Sequence, residues 1–136
     1  MSTQFMYPGS SVNTSKSSYS LLWSNPNSYT TFNAGSYSVP NMANYTLFVL
    51  KYRMSYGMDS SHANINYTGA LYQLMTEGKT FLFGADDTLY YRNVSIDRSA
   101  QTIAFSLVAM CKAFNSMTGQ SLNTRLIPIA LYGINQ

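Results

Sequence analysis

The sequence predicts an all-β domain, an antiparallel β-sandwich of jelly-roll-like character with about eight short strands. Three observations carry that prediction. Short apolar stretches with period-two alternation recur along the chain, separated by Asn, Pro, Gly and Asp turn signals. Hydrophobic residues make up 46% and aromatic residues 15%, led by 12 tyrosines, a composition that suits pleated surfaces. Charged residues reach only 10%, well under the usual quarter or so, so surface polarity falls to Ser, Thr, Asn and tyrosine hydroxyls. No internal repeat of about 20–50 residues aligns, which sets propellers and solenoids aside.

The 136 residues suit one domain. Residues 1–20, polar and broken by Pro8-Gly9, read as an arm or linker, and residues 21–136 as the sandwich. Leu21-Leu22-Trp23 opens the first strand, and Asn25-Pro26-Asn27 turns the chain. Residues 30–39 are extended, interrupted at Gly35 and punctuated by Pro40-Asn41. Residues 45–54 form the clearest strand. Phe48, Leu50, Tyr52 and Met54 share one face; Tyr45, Leu47 and Val49 share the other, which turns charged at Lys51 and Arg53.

Residues 56–66 are polar, contain Gly57 and read as a long loop. Residues 70–75 and 80–83 are strands around the Glu77-Gly78 turn, and residues 84–87 turn into a strand over 89–97. There Tyr90, Val94 and Ile96 share a face with Arg92. Residues 102–114 fit a helix through Ile103, Leu107, Met110, Cys111 and Phe114, or a strand through Ile103, Phe105, Leu107 and Ala109; the flanking strands favour the strand. Residues 115–124 read as a loop.

The closing RLIPIALYGINQ is apolar on both faces of a strand: Leu126, Ala130, Tyr132 and Ile134 on one, Ile127, Ile129 and Leu131 on the other. Pro128 lacks an N–H and suits a sheet edge or a bulge. One face then covers the core and the second needs other cover, for which a neighbouring copy is the economical source. The expectation is a homo-oligomer, a trimer favoured, with Ile127, Ile129 and Leu131 near the subunit boundary.

Several function classes are disfavoured. The net charge is +3, but the eight Lys and Arg are scattered, so no nucleic-acid stripe is expected. The single Cys111 cannot form an intrachain disulfide, no run of roughly 18 apolar residues spans a membrane, and residues 1–20 lack a signal-peptide pattern. Acid–base chemistry would have to come from Asp59, Glu77, Asp86, Asp87, Asp97 and His62. Asp86-Asp87 sits at a turn, and Asp59 with His62 supplies too few ligands for a metal. The expectation is no catalysis, no metal and no cofactor. Tyrosine combines a flat apolar face with a hydrogen-bonding tip, which makes Tyr56, His62 and Tyr67 the candidate ligand-binding residues.

Leu22-Trp23-Ser24-Asn25-Pro26 followed by Phe32 and Val39, then residues 45–52, Tyr91-Arg92-Asn93-Val94-Ser95, Ile127-Pro128 and Leu131-Tyr132-Gly133-Ile134, together resemble a C-terminal module common at the ends of bacteriophage fibre proteins. Such modules occur especially in phages of Gram-positive gut bacteria. The resemblance implies a β-sandwich in a virion fibre or decoration protein, usually trimeric, with host-surface attachment as its task. Expected partners are other virion proteins and a host-surface glycan; the alternative is a small carbohydrate-binding module without a virion. No catalytic residues carry over.

Overall fold

Alternation along each strand sorts side chains into one shared core and two outer faces. The computed structural model describes residues 18–26, 31–58, 65–67, 69–85, 89–110 and 125–136. The strands are β1 (Tyr19–Ser24), β2 (Gly35–Ser38), β3 (Phe48–Arg53), β4 (Ser55–Met58), β5 (Ile65–Tyr67), β6 (Leu71–Met75), β7 (Gly78–Ala85), β8 (Leu89–Asp97), β9 (Thr102–Phe105), β10 (Ala109–Met110) and β11 (Ile127–Ile134), with a 3₁₀ turn at Met42–Asn44. The first sheet runs β1-β11-β3-β6; the second runs β10-β8-β9-β2, with β7 on the other side of β8; β4 and β5 form a separate ribbon. Every pairing is antiparallel.

β9 and β10 lie in succession along the same side of β8, opposite Val94–Asp97 and Tyr90–Tyr91, so they are two halves of one broken strand. Each sheet thus has four strand positions, which gives the eight-strand antiparallel sandwich that the sequence pattern predicts. At the break, the Ser106 N–H donates to the Asn93 carbonyl and the Ser106 Oγ accepts from the Asn93 N–H. A hydroxyl therefore stands in where the ladder lapses. The ambiguous segment is strand at residues 102–105 and 109–110, with residues 106–108 between them outside any strand, and Cys111 lies outside the described residues.

The core is where the two inner faces meet. Phe48, Leu50 and Tyr52 of β3, Met75 of β6 and Leu131 of β11 pack against Leu82 of β7, Tyr90, Val94 and Ile96 of β8, and Ile103 and Phe105 of β9. Trp23 of β1 lies 5.6 Å from Phe105 and 5.3 Å from Tyr37 of β2, so aromatic rings join the sheets at one end. Tyr52 crosses between sheets to donate its hydroxyl to the Phe83 carbonyl at 3.2 Å, and burial pushes its phenol above the ordinary value.

One core position is a cation. Arg92 alternates inward with Tyr90, Val94 and Ile96 and is fully buried. Its Nη1 donates to the Ser106 carbonyl at 2.9 Å; Nη2 donates to the Phe32 carbonyl at 2.8 Å and the Arg125 carbonyl at 3.2 Å. Its guanidinium also lies over the Phe32 ring at 5.1 Å. Burial lowers its pKa to about 10, which leaves it charged at neutral pH. Three loop carbonyls are thereby tied to one side chain.

Two expectations are corrected. Residues 56–66 are not simply a loop, because β4 and β5 pair within that stretch. β11 is also a central strand between β1 and β3 rather than an edge. Pro128 is accommodated by a register shift between Pro128 and Ala130 on the β3 side, the bulge alternative. On the other side, Asn25 covers the irregularity: its N–H donates to the Ile129 carbonyl and its Nδ2 to the Pro128 carbonyl, both at 2.8 Å. Ile127 and Leu131 are both fully buried in the chain's own core. They have no surface left for a subunit boundary; Ile129 is half-buried.

Candidate functional site

Of the set Leu126, Ala130, Tyr132 and Ile134, Leu126 and Ala130 are buried, whereas Tyr132 and Ile134 are partly exposed on the outer face of the first sheet, the reverse of the expectation that Ile127, Ile129 and Leu131 would be the face in need of cover. Register aligns Leu21 of β1 with Tyr132 of β11, Tyr132 with Val49 of β3, and Val49 with Leu74 of β6, a row across all four strands. One step along, Lys51 lies opposite Tyr72; at the other side Tyr19 lies opposite Ile134. Period two dictates this arrangement. Phe48, Leu50 and Tyr52 take the inner face of β3, leaving Val49 and Lys51 outside, and Met75 takes the inner face of β6, leaving Tyr72 and Leu74 outside.

The result is a patch in which Tyr19, Leu21, Tyr72 and Leu74 are each more than half exposed, at 55%, 58%, 63% and 58%. Contiguous apolar surface of this kind marks an interaction site rather than scattered exposure. Tyr19 and Tyr132 meet edge to face with centroids 5.2 Å apart, which fixes both rings. A shallow groove of about 230 Å³ runs between them, lined by Tyr19, Val49, Lys51, Tyr72 and Tyr132. Its polar equipment is three phenol hydroxyls and one ammonium group. Such a lining suits contact through ring faces with few hydrogen bonds; among the described residues that line it there is no carboxylate, thiol or imidazole.

The candidates named from sequence fall elsewhere. Tyr56 and Tyr67 lie on β4 and β5, which pair with each other, so the two backbones are neighbours in one ribbon; their side chains lie outside what the structure describes. His62, Asp59, Asp86 and Asp87 lie outside the described residues. Among the described residues no three His, Cys, Asp or Glu side chains form a metal-holding group. Asp97 serves its own turn, accepting from the Ser99 hydroxyl at 2.8 Å and the Ala100 N–H at 3.0 Å, bonds that hold its carboxyl below the usual carboxylate range.

Tyr19, Tyr72 and Tyr132 did not stand out from sequence, although the signal was present. Residues 71–75 alternate apolar on both sides, as β11 does, and two such strands in one sheet need an apolar outer face. Comparison with protein-family models, curated proteins and solved structures finds no match.

Proposed function

We propose that this chain is a non-enzymatic structural module of a bacteriophage virion, a fibre tip or a head or baseplate decoration, and that it contributes to attachment by offering the tyrosine face of the first sheet to a host-surface glycan. The observation that supports this reading is the groove formed by Tyr19, Tyr72 and Tyr132 around Lys51. A pyranose ring has one face of C–H groups and a rim of hydroxyls. The first stacks on a phenol face, and the second reaches tyrosine hydroxyls or the Lys51 ammonium. The resemblance of the Trp23, Asn93 and Tyr132 regions to fibre modules supplies the virion setting.

Two measurements test the two halves of the proposal. Peptides of this chain should appear in mass spectra of purified virions. On an array of host-surface glycans the chain should bind, and Tyr72→Ala should weaken binding about 2- to 10-fold, the loss expected for one stacking contact of roughly 0.5–1.5 kcal/mol. Tyr72 is 63% exposed, so the substitution should leave the melting temperature nearly unchanged. Unaltered binding by Tyr72→Ala removes the groove as the site. Glycan binding by a chain absent from virions would favour a free carbohydrate-binding module.

A further inference from the structure

Among the described residues nothing pairs with the outer edge of β7 in the second sheet, and the geometry of that sheet fixes which backbone groups face outward. The bonds between Ser106 and Asn93 place the Asn93 N–H and C=O on the β9 side of β8. Orientation alternates along an antiparallel strand, so the groups of Tyr90, Arg92, Val94 and Ile96 face β7. Their partners in register are Gly84, Leu82, Thr80 and Gly78. The groups of Lys79, Phe81, Phe83 and Ala85 must then point away from the sheet. The Tyr52 hydroxyl, arriving from the other sheet, meets the Phe83 carbonyl as that orientation requires. Tyr52 occupies one of the two lone pairs of that carbonyl.

Free edges in native proteins are kept short, bulged or otherwise obstructed, because an open ladder recruits another strand. Three of the four edges here follow that rule. β2 has four residues, β1 carries a register shift between Leu21 and Trp23, and β6 has only five residues. β7 does not. It is eight residues long, regular in register against β8, free of proline and charged only at Lys79. Its outer face carries Phe81 and Phe83, 45% and 51% exposed, in contact with each other at 5.8 Å; Phe81 also meets Tyr91 at 5.9 Å.

We propose that β7 pairs edge to edge with β7 of a second copy of this chain, antiparallel, about a two-fold axis at Leu82. The strand is self-complementary about that point. Phe81 of each copy lies across from Phe83 of the other, on the same outer face, so the aromatic pair of one copy becomes a cluster of both. Lys79 lies across from Ala85, so no like charges oppose each other. All four outward-facing residues enter the ladder, exchanging about eight hydrogen bonds. An axis at Phe81 or Phe83 would leave one of the four without a partner residue. The two sheets then form one continuous sheet. This closed pairing makes a dimer rather than the trimer that the resemblance implies. It does not rest on the glycan reading, which concerns the other sheet.

Sedimentation equilibrium and hydrogen exchange on the full chain test the proposal. The wild type should sediment as a dimer at micromolar concentration. The amides of Phe81 and Phe83 should gain protection as concentration rises, while those of Thr80 and Leu82 stay protected throughout. Phe81→Pro removes an outward N–H and no bond to β8, so it should give a folded monomer. Phe81→Lys combined with Phe83→Lys, which leaves the backbone intact, should weaken association at least 100-fold and answers the question if the proline variant fails to fold. A wild-type monomer, a trimer with exchanging Phe81 and Phe83 amides, or a dimer unaffected by the double-lysine variant overturns the proposal. Tyr72→Ala should leave the dimer intact.

Discussion

Replacing Arg92 with Leu tests how a buried cation that donates to three backbone carbonyls stabilises this sandwich. The side chain has no exposed surface, and its two terminal nitrogens serve the carbonyls of Phe32, Ser106 and Arg125. Leu would fill much of the volume but leave three carbonyls without this donor. Each buried acceptor left unpaired costs about 1–3 kcal/mol. Part of that loss is offset, because the native fold no longer desolvates a charge whose pKa burial has lowered to about 10. A net destabilisation of about 3–5 kcal/mol follows, a fall of roughly 10–20 °C in melting temperature for a chain of this size. Urea and thermal unfolding followed by far-UV circular dichroism read this directly. Arg92→Lys should recover only part of the loss, because one ammonium cannot reach three carbonyls in the geometry of the guanidinium fork. A melting temperature for Arg92→Leu within about 3 °C of wild type would refute the reasoning, since it would mean that the carbonyls found water or other donors without cost.

Gly133→Ala should destabilise by about 1–3 kcal/mol in urea unfolding, because an added Cβ would lie 2.5–2.9 Å from the ring of Tyr45, itself packed near Phe48 at 6.5 Å. The acid limb of stability should depend on Asp97. Its folded-state pKa lies below the ordinary 3.8, so its contribution is present above that value and is lost as pH falls through the lower folded-state value. Asp97→Ala should therefore flatten the melting temperature against pH below about pH 4 and leave the shape of the curve above pH 5 unchanged.

Much of this architecture was legible in the sequence where alternation was clean. The inner sets Phe48-Leu50-Tyr52-Met54 and Tyr90-Arg92-Val94-Ile96 face the core as their spacing dictates. The place of β11 was not legible from the same pattern. Proline at Pro128 signals either an edge or a bulge, and what decides between them is Asn25, about a hundred residues away, whose amide serves the irregular carbonyl. Which β11 residues would form the outer surface was equally non-local. Tyr132 and Val49 become one surface only when register brings β11 beside β3, and Tyr72 joins it from β6. Arg92 carried the opposite ambiguity: its position on an apolar face was plain, but its carbonyl partners come from segments 14, 33 and 60 residues distant.

The central position of β11 also sets an order of events in synthesis. β1 and β3 have no hydrogen bonds to each other; each pairs with β11 from opposite sides. While residues 127–134 are still unmade, the first sheet is split into β1 alone and the β3–β6 pair. The local β7-β8-β9 run, by contrast, already has its pairing partners. The strands of the second sheet are thus all made before the first sheet can be completed. Through that interval Leu50 and Phe48 have no cover from Leu131, and completing the fold is a single late insertion of a strand between two others rather than a progressive zipping.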